Sequence, residues 1–132
     1  KELTTILKDM QPFFDQKDVP LFVSGDFNSG SHLDWTEKAK HLFEGYAVEW
    51  PTSILMLEKG FKDSYRELYP DPVKYPCLTW SPMSKLDIQY RIDFIYYMGK
   101  NVKVTESKMI DQHPVRFPSD HAAMISTFKF KK

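Results

Sequence analysis

Apolar residues recur at spacings of three and four from the start of the chain: Leu3, Ile6, Leu7, Met10 and Phe13 or Phe14, with Lys8, Asp9 and Asp15 between them. That period predicts an amphipathic helix. A helix that opens at Lys1 also implies a natural chain that begins further upstream. Lys17-Asp18-Val19-Pro20 breaks the pattern, and Leu21-Phe22-Val23 reads as a short buried strand leading into a loop from Gly25 to Ser31. Trp35 to Phe43 has helical spacing with Gly45 as its stop, and Pro51 suits the first turn of a helix running through Glu58 to Gly60.

Strand signals dominate the second half. Asp63 to Leu68 reads as one more short helix, and the proline-bearing stretch from Pro70 to Pro76 is a surface connection, because proline removes ladder donors. Ile92 to Met98 is rich in β-formers, Val102 to Thr105 follows a turn at Gly99, and Ala122 to Phe130 alternates in part. Helix feeding strand, then several strands, predicts an α/β or α+β layered fold in one unit, with no internal repeat or interdomain linker.

Composition narrows the function classes. The 132 residues are 42% hydrophobic and 27% charged, and 18 basic side chains balance 18 acidic ones. No global basic field exists to attract nucleic acid or a membrane, so a polyanionic substrate must be met locally. The single cysteine, Cys77, excludes an internal disulfide and a cysteine metal cluster. No apolar run approaches the roughly 18 residues of a membrane span.

Against this background a few polar residues stand out. Asp26 and Asn28 follow an apolar strand directly, at the place where α/β sheets commonly carry sites. The carboxylate can orient or deprotonate a water, and the amide can bind a phosphoryl oxygen. A local Asx turn explains the same two residues. Asp93 sits among Ile92, Phe94 and Ile95, where an unpaired carboxylate is costly, so a partner is required. Arg91 is the local candidate and His121 the distant one. Asp120-His121 falls at a loop-to-strand junction, where Asp120 suits a hard cation such as Mg²⁺, although an isolated Asp-His there more often marks a turn with the histidine on the surface. His32 and Asp34 follow the Asp26 loop closely enough to line the same cleft, although Asp34 before Trp35 also fits a helix N-cap. Trp80 and Arg91 are weaker candidates for holding substrate, and His41 and His113 read as solvated. Lys129, Lys131 and Lys132 alternate with Phe128 and Phe130 as the solvent face of an edge strand.

In order along the chain, Ser24-Gly25-Asp26-Phe27-Asn28, Thr79-Trp80, Arg91-Ile92-Asp93-Phe94-Ile95 and Ser119-Asp120-His121 resemble the ordered motifs of the endonuclease/exonuclease/phosphatase (deoxyribonuclease I-like) superfamily. The resemblance spans nearly the whole chain. It implies Mg²⁺-dependent hydrolysis of a phosphoester, with Mn²⁺ or Ca²⁺ as alternative ions. By the same resemblance Asp26 handles the attacking water, Asn28 holds the phosphoryl group, Asp120 contributes to the metal site, His121 stabilises charge or acts as base, and Asp93 orients His121.

The family's domain is a four-layer sandwich of two similar halves, and the motifs here match only the C-terminal half, a mainly antiparallel or mixed sheet with helices on one face. The family's principal metal-binding glutamate has no counterpart among residues 1–132. The expectation is therefore an incomplete site, nearly inactive alone, whose exposed sheet face is covered by the missing half or another chain. The competing reading is an interaction module that keeps the fold without a complete metal site. Ser31 to Trp35 and Asp63 to Trp80 are similar to uncharacterised, often secreted bacterial members, which leans the localisation toward extracytoplasmic. Substrate class stays open among nucleic acid, phospholipid and sugar phosphate.

Overall fold

The computed structural model describes residues 1–16, 18–83 and 89–131; Lys17 of the first break and the terminal Lys132 lie outside the described residues. Helices α1 (Glu2–Asp9) and α2 (Gln11–Phe14) open the chain, with Pro12 in the first turn of α2, where its missing N–H costs nothing. Their apolar stripe covers strand β1 (Leu21–Asp26): Leu7 is buried against Met56, Phe61, Phe94 and Tyr96, with Leu3, Met10 and Phe14 beside them. The single long opening helix expected from the period is thus two helices. Met10 lies at their junction, and its N–H still donates to Ile6 O at 2.9 Å.

Helix α3 (Pro51–Glu58) begins on its proline and is followed by Gly60, whose φ of +92° lets Phe61 N–H return to Met56 O at 3.1 Å. Strand β2 (Lys62–Asp63) leads straight into α4 (Ser64–Leu68). Asp63 caps that helix, accepting from the N–H groups of Tyr65 and Arg66.

Strands β3 (Asp93–Met98), β4 (Val102–Ile110) and β5 (Ala123–Phe130) complete the fold. The strands form two antiparallel sheets, one in the order β1-β3-β2 and one pairing β4 with β5. With the short helices this is a mixed α+β architecture, as the patterning indicated. Tyr97, Val102 and Val104 pack under α4 and join the sheets, with Phe128 closing from β5. No helix among the described residues is long and apolar enough to cross a membrane.

One predicted element is absent. Residues 35–43 form turns and a single 3-10 turn, Lys40–Leu42, not an α-helix. The four-residue spacing of Trp35, Ala39 and Phe43 builds a compact aromatic cluster instead, with Trp35 stacked on Phe43 at 4.4 Å and on Tyr90 at 5.7 Å. Tertiary packing overrides the local period here.

Candidate functional site

The β1–β3 register sets Asp26 opposite Asp93 on the last rung of the ladder, so two strands deliver two carboxylates to one edge. Phe27 N–H extends the pairing by donating to Ile92 O at 2.8 Å. Asn28 then turns the chain with φ +46°, a left-handed conformation that asparagine tolerates better than most residues, and its N–H donates to Asp26 Oδ1 at 2.7 Å. The Asx turn offered by local reasoning is therefore present. It uses one carboxylate oxygen of Asp26 and leaves Oδ2 at 4.0 Å from His121 Nε2.

His121 arrives from the segment just before β5. Its N–H donates to Ser119 Oγ at 3.0 Å, its backbone bridges that of Trp80, and the next residue, Ala122, donates to Thr79 O at 2.7 Å. The imidazole Nδ1 lies 3.0 Å from Asp93 Oδ2. An ionised carboxylate only accepts, so the ring proton sits on Nδ1, and Nε2 is turned toward Asp26. The hydrogen bond that the ring donates to Asp93 raises the His121 pKa above the ordinary imidazole value; partial burial opposes this, and the charges of Asp93, Asp26 and Asp120 add to it.

Ligand atoms of Asp26, Asp93 and His121 lie within 4.8 Å of one another, close enough to share a metal ion. Their chemistry fits a divalent cation through the two carboxylates, while Asp93 already engages the histidine. Asp120 is exposed beside the cluster and is not part of that three-residue group; it lines a neighbouring hollow with Arg116, Phe117 and Met83. Next to the cluster a cleft of about 330 Å³ is walled by Trp50, Trp80, Tyr90 and Ile92 and floored by Asn28, Ser29, Gly30 and His121. A mostly aromatic wall with a few convergent polar groups is the usual make-up of a ligand pocket. Gly30 is required there: a Cβ would come within 2.7 Å of Trp50 Nε1.

The other sequence candidates fall elsewhere. His32 is tied by Nδ1 to Ser53 Oγ at 2.7 Å and lines a separate cavity with Arg66 and Glu67. Arg91 is 2% exposed and pairs with Asp34 and Asp63, not with Asp93. Asp34 caps no helix; it is buried and binds both Arg66 and Arg91. Two arginines and two aspartates thus form a neutral buried quartet behind the site, which sequence spacing cannot reveal because its members span positions 34 to 91. Thr79 also escaped residue-by-residue reading, although the Thr79-Trp80 motif marked its position.

Comparisons with known proteins point the same way as the motifs. The chain is 35% identical over 132 residues to the uncharacterized protein F14F9.5 of Caenorhabditis elegans, a match covering 86% of this chain and 42% of that protein. It is distantly similar to nocturnin, a protein of the endonuclease/exonuclease/phosphatase superfamily. The identity is 23% to nocturnin of Rattus norvegicus and 22% to that of Mus musculus, each over 136 residues, 96% of this chain and 28% of the relative. The chain therefore spans less than half the length of these curated relatives. No family model matches it, and no solved structure does.

Proposed function

We propose that the protein hydrolyses phosphoesters with Mg²⁺ and that these 132 residues carry the water-handling and charge-stabilising side of the site. The observation that carries this reading is the convergence of Asp26, Asp93 and His121 beside Asn28 at the mouth of an aromatic-walled cleft. Asp26 orients or deprotonates the attacking water. Asn28 holds a phosphoryl oxygen, and His121, oriented through Nδ1 by Asp93, faces the reacting group with Nε2. A raised pKa suits His121 to stabilising charge that grows on phosphorus, which leaves Asp26 as the better base.

Asp120, exposed beside the cluster, would contribute a ligand to Mg²⁺, which when bound would offset negative charge in the in-line displacement. Mg²⁺ takes one or two carboxylates alongside waters and substrate oxygens, and the greater length of the relatives leaves room for a further ligand outside residues 1–132. The rest of the protein also covers the apolar side chains left open on β1 and β5, Phe22, Ile125 and Phe130.

The test compares the full-length protein with residues 1–132 alone on a panel of a nucleotide phosphodiester, a phosphoinositide and a sugar phosphate. Turnover by the full-length protein that stops on chelation, with little turnover by the short chain, supports the reading. Robust chelator-sensitive turnover by residues 1–132 alone, or none by the full-length protein on any substrate, overturns it.

A further inference from the structure

Thr79 is fully buried beside the site, yet the chemistry proposed above assigns it nothing. Its side-chain Oγ1 accepts from two consecutive main-chain groups, Ile92 N–H at 3.0 Å and Asp93 N–H at 3.1 Å. Its carbonyl accepts from Ala122 N–H at 2.7 Å. One residue therefore fastens the start of the strand that carries Asp93 and the residue that follows His121.

The sheet explains why a side chain is needed there. On one side of β3 the pairing with β1 runs to Asp26–Asp93, and Phe27 takes Ile92 O. On the other side β2 reaches only as far as Asp63–Tyr96, so the Asp93 N–H has no ladder partner there, and Ile92, just ahead of β3, has its N–H taken by Thr79 and not by a strand. A buried N–H without a partner is costly, and the threonine hydroxyl with its two lone pairs fills both vacancies at once. The adjacent Trp80 pairs with Tyr90 on one side and His121 on the other, which continues the same bridge between the two segments.

We propose that Thr79 is a positioning residue: by clasping the Asp93 strand to the His121 segment it sets the 3.0 Å bond between Asp93 Oδ2 and His121 Nδ1, and through it the aim of Nε2 at the reacting group. Valine matches threonine in shape and keeps the Thr79 carbonyl, so Thr79→Val removes only the hydroxyl. Both N–H groups then lose their acceptor, and the Asp93 end of β3 must shift to find water. Serine restores the hydroxyl without the methyl.

Because the kinetic part rests on the proposed phosphoesterase reading, the experiment has two arms on the full-length protein. Crystal structures of wild type and Thr79→Val test the clasp without any activity. The account predicts that the Asp93–His121 contact opens beyond hydrogen-bonding distance in the variant, and a contact still near 3.0 Å overturns it. The kinetic arm uses whichever phosphoester the panel identifies. Thr79→Val should lower kcat about ten- to a hundredfold with KM within about twofold, Thr79→Ser should recover most of it, and in an Asp93→Asn background Thr79→Val should cost little more. Equal losses for the valine and serine variants, a loss confined to KM, or full additivity with Asp93→Asn overturns the positioning role. If Thr79→Val does not fold, the serine variant decides: near-wild-type kcat with an intact contact supports the clasp, and an opened contact refutes it. Absence of turnover in the wild type counts against the phosphoesterase reading alone, and the structural arm still decides the clasp.

Discussion

Replacing Asp34 by asparagine should destabilise the protein far more than any surface ion pair would. In the folded chain Asp34 accepts from Arg66 Nε at 2.5 Å and from Arg91 Nε at 2.8 Å, and Arg91 also reaches Asp63 Oδ2 at 2.6 Å. All four side chains are at most 4% exposed. Two positive and two negative charges cancel, so each guanidinium tolerates burial. Burial works against the charged form of Arg91, but Asp34 and Asp63 outweigh it and raise its pKa further. Asparagine has nearly the same shape, yet it leaves one excess positive charge in the interior and turns an amide NH₂ toward a donor. Breaking a buried pair by removing one partner costs about 3–5 kcal/mol. Against a typical domain stability of about 5–15 kcal/mol, that is a large fraction. The control is Lys38→Met, which removes the Lys38–Asp71 bridge, whose side chains are 67% and 33% exposed; solvent screens such a bridge, so its loss should change stability little. Urea unfolding followed by tryptophan fluorescence measures both. A loss below about 1 kcal/mol for Asp34→Asn, or equal losses for the two variants, would refute the reasoning that the quartet works as a mutually compensating unit.

Other predictions concern the site itself. Asp93→Asn removes the main cause of the raised His121 pKa, so the His121 imidazole resonances in a pH titration should move toward lower pKa; an unchanged titration would mean that Asp93 does not hold the ring. The sign for stability follows. His121 has its folded pKa above the ordinary value of 6.5, so its contribution is full below that value and fades as pH rises through the raised one. Asp93→Asn should therefore destabilise more at pH 6 than at pH 9, which unfolding at the two pH values would check. Gly30→Ala forces a methyl group against the Trp50 indole and should cost about 1–3 kcal/mol; a variant as stable as wild type would show that the indole has room to move. Burial pushes the Cys77 thiol up to about 12, so a thiol reagent should label it in urea but not in the native protein at pH 8, and rapid native labelling would contradict the packing described.

Much of the fold was legible because its elements depend on local chemistry. The opening amphipathic stripe, the proline start and glycine end of α3, and the β-rich run from Ile92 to Met98 each follow from short-range preferences. The 35–43 region misled because a four-residue apolar spacing serves a stacked aromatic cluster as well as a helix face. Val102 to Thr105 underestimates β4, which continues to Ile110 across a register shift between Val104 and Glu106 that spoils the alternation. In the site, adjacency made Asp26, Asn28 and the Asx turn readable. Residue by residue the partner of Asp93 was not readable, since Arg91 and His121 both suit a carboxylate, and only the family resemblance pointed to His121. Only the register of β3 and the bridge at Trp80 and His121 bring His121 within 3.0 Å, while Arg91 is drawn off to Asp34 and Asp63. The Thr79 clasp was invisible for a related reason: a threonine before a tryptophan is an ordinary strand residue until the start of β3 leaves the N–H groups of Ile92 and Asp93 for it to satisfy.

The central claim is that Asp26 and His121 serve one phosphoester-cleaving centre. It is tested most directly by measuring kcat of the full-length protein with Mg²⁺, beside its Asp26→Asn and His121→Ala variants and the wild type after chelation. The account predicts losses of about a hundred- to a thousandfold in each variant, and loss of turnover on chelation that added Mg²⁺ restores. Turnover within a few-fold of wild type in either variant, or undiminished by the chelator, would contradict it.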